Sequence, residues 1–357
     1  MDIAIVNIIK PRKDSGDGIT EYAYRLHQGL ARRNGGNHVD LIYALGESKR
    51  NNMAGLIYAN TLFRRKLESV RMHDYDIIHI VNHEIGFAAG IFQQRTNAKI
   101  VTTIHDTIRF TNEFHKGLLQ HTYNMIVRRS IADALNYSDM VLFNSTQTRE
   151  DVKRRYFLPK NSLVTPEGVK EEFLSTRVGQ KRQGREFTVG YVGALAHHKN
   201  VMMILEAARL LKGRPIRFLI YGSGTERDAL LRYKREHRLD NVSLMGFAPE
   251  HMLIKIYDSF DMFVFPSRYE GFGFPILESQ ARGVPVAVYS KGRIPAETKE
   301  YCLEAANADE LASIIEKQRQ EGASGRLRTN MIAHARSFTW ERTVKETLDA
   351  YKIVAGR

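Results

Sequence analysis

Short apolar runs alternate with segments of helical periodicity along almost the whole 357-residue chain. This alternation is typical of open, mostly parallel sheets, because each parallel strand needs a crossover connection to the next. The predicted strands of the first half are Ile3–Ile9, Val39–Leu45, Ile77–Val81, Ile100–Ile104 and Met140–Phe143. Those of the second half are Thr188–Val192, Phe218–Tyr221, Val242–Met245, Met262–Phe265 and Val284–Val288. We therefore expect an α/β protein with two Rossmann-like domains.

Helical segments separate these strands, and they bound the predicted domains. They are Ile19–Arg33, Leu118–Leu135, Glu150–Phe157, 201–211, 226–238, 250–259, 274–282 and 308–320. The chain is too long for one ordinary core and suits two domains of about 150–200 residues. The polar stretch Ser175–Glu186, rich in Gly, Gln, Lys and Arg, is predicted to link them. We assign 1–170 to the N-terminal domain, 171–186 to the linker and 187–339 to the C-terminal domain.

The composition is that of an ordinary globular protein. The net charge of +13 is spread over both halves, which argues against a dedicated nucleic-acid arm, so no nucleic acid is expected. The single cysteine, Cys302, excludes an internal disulfide and favours a reducing compartment. No stretch reaches the roughly 18 apolar residues of a membrane span, and the N-terminus is strand-like rather than a signal peptide. We expect a cytoplasmic protein.

The segment from Ser267 to Val286 carries the clearest chemical signal. It places Glu270 on a loop after a buried strand and Glu278 about one turn inside the following helix. Pro275 suits the first turn of that helix, where its missing N–H has no cost. The start of the helix carries unpaired N–H groups and a partial positive charge, which favour an anion. These features predict a pocket for a molecule with hydroxyl and phosphate groups.

This segment, Ser-Arg-Tyr-Glu-Gly-Phe-Gly-Phe-Pro-Ile-Leu-Glu, resembles the glutamate-x7-glutamate signature of retaining GT-B glycosyltransferases, specifically the family often called GT4. The resemblance implies two Rossmann-like domains with a deep interdomain cleft, the first binding the acceptor and the second the donor. By carry-over, Glu270 hydrogen-bonds hydroxyls of the donor sugar and Glu278 binds the ribose hydroxyls. The donor-binding residues between them are Gly271, Phe272 and Gly273.

A second loop, from Gly193 to Asn200, resembles the family's phosphate-binding turn. Gly193 lets a ligand approach the backbone, and Lys199 matches the lysine that neutralises the donor diphosphate. The arginine of that turn is missing, because Ala194 holds one of its usual places and His198 the other. The second cation comes from elsewhere, or His198 or Arg268 partly substitutes for it. The resemblance makes Lys199 a catalytic residue, with Gly193 and His198 in donor binding.

Four further residues receive roles from the resemblance. Gly18 lies in a glycine-rich loop after the first strand, which touches the donor phosphate or the acceptor. His105 ends the fourth strand and corresponds to a catalytic histidine that contacts the transferred sugar. Asp106 beside it is equally a candidate helix cap. Gly222 lies in a strand–glycine–helix turn near the nucleotide, and Phe247 follows the next strand and packs on the base.

The predicted function is transfer of a hexosyl group from a UDP- or GDP-sugar to a glycan, lipid-linked or small-molecule acceptor. The resemblance implies retention of configuration, with the nucleotide sugar as co-substrate, no other cofactor and no metal. Acceptor specificity is expected in the loops at residues 46–60 and 107–120. A nucleotide-sugar epimerase of the same fold and a non-catalytic nucleotide-sugar-binding protein remain as alternatives.

Two questions of placement stay open at this level. The final segment, 340–357, resembles a family helix that crosses back onto the first domain, but a plain cap on the second domain fits equally well. The second question is whether the protein contacts the inner face of an anionic membrane peripherally. Its candidate residues are Arg64–Arg65, Lys116–Leu119 and Arg128–Arg129, since basic residues near an anionic surface each contribute about 1 kcal/mol.

Overall fold

A computed structural model describes residues 1–10, 18–33, 35, 38–45, 67, 75–110, 118–175 and 186–356. The chain divides into two compact units, the first being Met1–Gly168 with Trp340–Arg357 and the second Val169–Thr339. Each unit contains one six-stranded sheet, and all the strand pairs are parallel. The predicted α/β class with two Rossmann-like domains is confirmed. No helix of the described residues is both long and apolar enough to cross a membrane.

The sheet of the first unit has the strand order β2-β1-β3-β4-β5-β6. Its strands are β1 (Ile3–Ile9), β2 (Val39–Leu45), β3 (Ile77–Ile80), β4 (Lys99–Ile104), β5 (Met140–Phe143) and β6 (Ser162–Val164). Its helices are α1 (Gly18–Arg33), α2 (Ala88–Gln93), α3 (Leu118–Tyr137), α4 (Thr146–Lys153) and α13 (Trp340–Ala355), with 3-10 turns at His83–Ile85 and Ile108–Phe110. The central strands are buried on both faces, as expected of a parallel sheet between two helix layers.

The last helix, α13, belongs to this first unit. It packs along α1 so closely that a Cβ atom on Gly29 would lie 2.3 Å from Val344 Cγ2. Further along, the Tyr351 hydroxyl lies 2.6 Å from Nδ1 of the buried His79 on β3. Of the two placements that the sequence leaves open for this helix, the structure has the one on the N-terminal unit.

The sheet of the second unit has the order β12-β11-β10-β7-β8-β9. When β7 is counted as the first strand and the sheet is read from the β9 edge, the order is 3-2-1-4-5-6, the Rossmann order. Its strands are β7 (Phe187–Val192), β8 (Ile216–Tyr221), β9 (Val242–Gly246), β10 (Met262–Phe265), β11 (Val286–Tyr289) and β12 (Leu303–Ala305). Its helices are α5 (Glu171–Ser175), α6 (Met202–Leu210), α7 (Arg227–Glu236), α8 (Leu253–Asp258), α9 (Phe274–Ala281), α10 (Ala296–Lys299), α11 (Ala308–Glu321) and α12 (Gly325–Arg336), with 3-10 turns at His197–Lys199 and Glu250–Met252.

Local capping shifts one predicted helix. The sequence predicts helix over 150–157, but α4 begins four residues earlier because the Ser145 hydroxyl accepts the N–H of Thr148, at 3.1 Å. Such a cap satisfies a backbone donor that the first turn leaves unpaired. The stretch predicted as linker also begins with structure, since α5 places Phe173 in the core of the second unit. Residues 176–185 lie outside the described part.

Candidate functional site

The strand order of the second unit reverses between β7 and β10, which are hydrogen-bonded neighbours. In open α/β sheets, ligands bind beyond the carboxyl ends of the strands at this reversal. Two loops start there, one after β7 that leads to the turn His197–Lys199, and one after β10 that leads to α9. These are the two segments in which the sequence predicts phosphate and sugar binding.

Lys199 and Glu270 join the two loops. The Lys199 ammonium donates to both carboxylate oxygens of Glu270, with Nζ–Oε1 and Nζ–Oε2 distances of 2.7 and 2.9 Å. The side chains are 17% and 10% exposed, so this pair is shielded from most of the solvent. The ammonium also lies 5.5 Å from the centre of the Phe265 ring. One of its three N–H donors is left over for a further acceptor.

Backbone hydrogen bonds fix the loop that carries Glu270 from both sides. The Arg268 N–H donates to the His198 carbonyl at 2.7 Å, and the Glu270 N–H donates to the Arg293 carbonyl at 2.9 Å. Asn200, directly after Lys199, takes the left-handed conformation at φ 54° and ends the turn. Glu270 therefore lies on a loop whose main chain is hydrogen-bonded on both sides.

Arg268 brings a second cation to the Lys199 turn. One guanidinium nitrogen lies 3.1 Å from Nε2 of His197, and another donates to the Asn200 side-chain oxygen at 3.3 Å. Ala194, at one place where the family has its arginine, is exposed and uncharged. His198, at the other place, contributes its carbonyl to the loop contact described above. Among the substitutes that the sequence leaves open, Arg268 has the charge and is held beside Lys199.

Glu278 lies on α9, which starts after Gly273 at φ +96°. Its Oε2 accepts a hydrogen bond of 2.8 Å from the hydroxyl of Tyr257 on α8. Burial raises the pKa of Glu278, and the Tyr257 hydroxyl and the Lys170 charge only partly offset this. Burial, followed by the charge of Glu278, raises the pKa of Tyr257 well above its usual value. Tyr257 thus stays a neutral donor to this carboxyl group.

Glycines bring the loops after β7 and β8 together. A Cβ atom on Gly222 would lie 1.8 Å from the carbonyl oxygen of Gly193, so only glycine fits. The Gly193 N–H donates to the Tyr221 carbonyl at 3.1 Å, and the Gly222 N–H to the Gly246 carbonyl at 2.7 Å. The three carboxyl ends of β7, β8 and β9 thus form one continuous backbone surface. The predicted donor contacts of Gly193 and Gly222 stay predictions.

The two phenylalanines predicted for the donor site differ in their surroundings. Phe247, just after β9, is 75% exposed and has an aromatic face available for a base. Phe272 is buried, with its ring 5.0 Å from the Phe274 ring and 6.0 Å from the Phe338 ring. Since its side chain belongs to the core, a donor contact from Phe272 would come from its main chain, as for the neighbouring Gly271. Their donor contacts stay predictions.

In the first unit, His105 follows β4 and is 5% exposed. Its Nδ1 lies 2.9 Å from Glu167 Oε1, and its Nε2 lies 3.0 Å from the Val81 carbonyl oxygen. Burial alone would lower the pKa of His105, but the Glu167 carboxylate, the Val81 carbonyl and the Asp106 charge together outweigh burial and raise it. Both ring nitrogens are thus N–H donors to oxygen. The predicted sugar contact stays a prediction, and it requires one of these bonds to be exchanged.

Several predicted regions lie wholly or partly outside the described residues. Gly18 is described as the first residue of α1, but the preceding loop, 11–17, is not. The predicted acceptor loop at residues 46–60 lies outside the described residues as well. Of the second predicted acceptor loop, at residues 107–120, residues 111–117 lie outside. The same holds for Arg64, Arg65 and Lys116 of the predicted basic surfaces.

Two polar contacts of these sites are absent from the sequence prediction. Tyr257 has the helical spacing of a core residue, and its ring is buried. The role of its hydroxyl becomes visible only in the structure, where it donates to Glu278. Glu167 follows Pro166 in a short segment without a motif, and its partner His105 lies 62 residues away. Neither pairing leaves a periodic signal in the sequence.

Family models match both halves of the chain. The model described as "Glycosyl transferases group 1" matches residues 175–338, and "Glycosyltransferase Family 4" matches residues 16–173. The chain belongs to the group 1 glycosyltransferase family. The first match contains Lys199, Glu270 and Glu278 of this glycosyltransferase, and the second contains Gly18 and His105.

Curated relatives agree with this membership, and solved structures have a similar fold. The glycosyltransferase is 28% identical over 274 residues to O-antigen chain mannosyltransferase B of Escherichia coli, covering 72% of this chain and 71% of that one. It is 28% identical over 318 residues to D-inositol 3-phosphate glycosyltransferase of Corynebacterium urealyticum, covering 80% and 74%. In fold it is similar to sucrose-phosphate synthase from Thermosynechococcus elongatus, with a TM-score of 0.74, 20% identity and 99% of both chains covered. It is also similar to HepE from Anabaena in complex with UDP and glucose, with a TM-score of 0.72, 16% identity, and 98% and 99% covered.

Proposed function

We propose that this glycosyltransferase moves a hexosyl group from a UDP- or GDP-sugar to a glycan, lipid-linked or small-molecule acceptor, with retention of configuration and without a metal ion. The observation that carries the proposal is the Lys199–Glu270 pair at the strand-order reversal of the second unit. It brings a cation for phosphate and a carboxylate for hydroxyl groups to the place where an α/β sheet binds its ligand.

In the proposed reaction the bond between the anomeric carbon and the diphosphate oxygen breaks, and a bond from that carbon to the acceptor oxygen forms on the same face. The acceptor proton passes to an oxygen of the departing diphosphate. Lys199, assisted by Arg268, neutralises the charge that develops on the leaving group. Glu270 accepts hydrogen bonds from hydroxyls of the hexosyl group, and Glu278 binds the ribose.

The names of the relatives support the choice of substrates. One is a mannosyltransferase of an O-antigen chain, and another glycosylates an inositol phosphate. The solved structure of HepE is a complex with UDP and glucose. A nucleotide-linked hexose as donor and a polyhydroxylated acceptor fit the carboxylate and cation pair of this chain.

The deciding experiment is a thermal-shift panel of UDP, GDP and ADP with their common sugars, recorded both in EDTA and with Mg²⁺ in its place. A ligand at 100 times its Kd adds about 2.7 kcal/mol of stability, enough for a shift of a few degrees. We expect a shift with one base, lost in Glu278→Ala and kept in the exposed control Glu236→Ala. No shift with any nucleotide in either condition would end the transferase proposal. A shift that disappears in EDTA would end its metal-free part.

Turnover separates the proposal from its two alternatives. A transferase releases free nucleotide diphosphate in step with glycosylated acceptor. An epimerase instead converts the sugar while it stays attached to the nucleotide, and a binding protein does neither. Product analysis of the nucleotide sugar that gives the thermal shift therefore assigns the class.

One surface of the first unit supports contact with a lipid-linked acceptor at an anionic membrane. Phe157 is 99% exposed, and it follows Lys153, Arg154 and Arg155, which are exposed cations. An aromatic ring among basic residues fits the interface of an anionic bilayer. We expect low-salt binding to vesicles containing phosphatidylglycerol, weakened by Phe157→Ala and by added salt. Absence of binding at low salt would remove the membrane from the proposal.

A further inference from the structure

Buried polar residues follow β5 and β6 at the carboxyl edge of the first sheet. The register pairs Phe143 with Val164, so Asn144 and Thr165 are neighbours one residue further along. Both side chains are buried. Glu167 lies two residues beyond Thr165 and is only 3% exposed. The proposed mechanism gives none of these three polar side chains a role.

One oxygen of the Glu167 carboxylate is fully engaged. Its Oε1 accepts hydrogen bonds from Asn144 Nδ2 at 3.0 Å and from His105 Nδ1 at 2.9 Å. His105 is held in turn by the Val81 carbonyl. The carboxylate and the amide are therefore fixed in orientation before any ligand arrives.

Three oxygen atoms of the same cluster have no hydrogen-bond donor within the described part of the chain. Oδ1 of Asn144 and Oγ1 of Thr165 are buried atoms, whereas Oε2 of Glu167 is an acceptor whose carboxylate is bonded only through Oε1. Buried polar atoms without a partner are rare in folded proteins. Amide and carboxylate oxygens only accept hydrogen bonds, and a threonine oxygen can accept them too. A ligand with several adjacent O–H donors would satisfy all three atoms.

We infer that Asn144, Thr165 and Glu167 form a hydroxyl-binding subsite for a saccharide in the first unit. The inference rests on the proposed function, which requires a sugar to be held. Both the transferred hexosyl group and a glycan or polyol acceptor carry suitable hydroxyls. The subsite selects for the position of hydroxyl groups, since a fixed carboxylate and amide reject a ligand that leaves them unpaired.

Two variants test the subsite. Thr165→Val keeps the shape of the side chain and removes an oxygen that has no partner in the protein, so the fold should be unaffected. Glu167→Gln removes the carboxylate charge, and its amide nitrogen takes the place of one carboxylate oxygen. Glu150→Gln is the matched control, because Glu150 lies on α4 of the same unit with its side chain 42% exposed.

The assay compares donor hydrolysis without acceptor with transfer to methyl α-D-mannopyranoside or D-myo-inositol 3-phosphate, using UDP-glucose and GDP-mannose. We expect Thr165→Val and Glu167→Gln to lower kcat/KM about tenfold or more, as for a lost hydrogen bond to ligand. The Kd of UDP or GDP should stay within about twofold of the wild-type value. A loss in both reactions identifies the transferred sugar as the ligand, and a loss in transfer alone identifies the acceptor.

If Thr165→Val has the wild-type kcat/KM in both reactions, the inference is overturned. The proposed function would still stand in that case, because nucleotide binding and turnover are intact. If Glu167→Gln does not fold, Thr165→Val alone decides whether the subsite exists. A reduction of equal size in Glu150→Gln would also count against the subsite. If the wild-type protein binds no nucleotide or turns over neither donor, the proposed function and this inference fall together.

Discussion

Lys199 and Glu270 hold each other in place, so the loss of either leaves the other's charge largely shielded from solvent and without this ion pair. Removing one member of a shielded pair costs more than the pair contributes. We expect Lys199→Met to lower the free energy of unfolding by roughly 1–3 kcal/mol. The rate of transfer should fall about 10–100-fold, because the cation proposed to neutralise the leaving diphosphate is lost as well.

The double variant Lys199→Met/Glu270→Gln separates these two effects. It removes both charges, so its stability should recover toward that of the wild type while its activity stays low. Urea denaturation and turnover measured on the two single variants and the double variant provide the comparison. Additive losses of stability would contradict a direct interaction between the two side chains.

The His105–Glu167 pair makes stability depend on pH. The pKa of His105 is raised in the folded state, so the folded protein keeps a proton that the unfolded chain releases. The resulting stabilisation is fully present below about pH 6.5, the ordinary pKa of histidine. It is lost as the pH rises through the folded-state pKa of His105.

The melting temperature of the wild type should therefore exceed that of His105→Gln most at pH 6, and the difference should shrink as the pH rises toward 9. Scanning calorimetry of both proteins across this range measures it. A difference that is constant with pH would show that folding leaves the pKa of His105 unchanged.

The loops of the second unit depend on glycine at defined positions. Gly222→Ala would place a Cβ atom against the Gly193 carbonyl, at a φ of +150°. We expect a loss of about 1–3 kcal/mol in stability, together with weaker nucleotide binding. Gly325→Ala at the start of α12 meets nothing within 4 Å and serves as the control, with a gain of up to about 1 kcal/mol. Equal melting temperatures of the two variants would refute the backbone contact.

Helices and strands with a strong pattern were predictable, and short or capped ones were not. Met140–Phe143 and Met262–Phe265 are continuous apolar runs, and the structure has strands with the same bounds. The edge strand Ser162–Val164 has only three residues, too few for a period to show. The start of α4 depends on the Ser145 hydroxyl, which a hydrophobic pattern does not register.

In the candidate site, too, features with a local motif were predictable, and features that depend on contacts between segments were not. Glu270 and Lys199 were singled out from local motifs, each on its own loop. Their contact spans 71 residues and follows from β7 and β10 being neighbours in the sheet. Strand order is a property of the whole unit, so no local segment encodes it. The missed partners Tyr257 and Glu167 share this cause, since each acts through a residue from a distant segment.

At the scale of the whole molecule, the last helix, α13, is part of the first unit. Deleting residues 340–357 would expose the side of α1 at Gly29 and leave the buried His79 without the Tyr351 hydroxyl. We expect the truncated chain to lose the cooperative unfolding of the first unit and to gain protease sensitivity in α1. Limited proteolysis with peptide mapping checks this. A truncated chain as resistant as the full one would show that α13 is dispensable.

The first unit is thus built from two separate segments of the chain, with the second unit inserted between them. Next to the two junctions, Val169 and Thr339 form a parallel bridge, and the Val169 N–H donates to the Phe338 carbonyl at 2.9 Å. A single recombination crossover near codon 169 would join the α1 of one parent to the α13 of another. Exchange of an intact second unit between relatives therefore requires two crossovers, one at each junction.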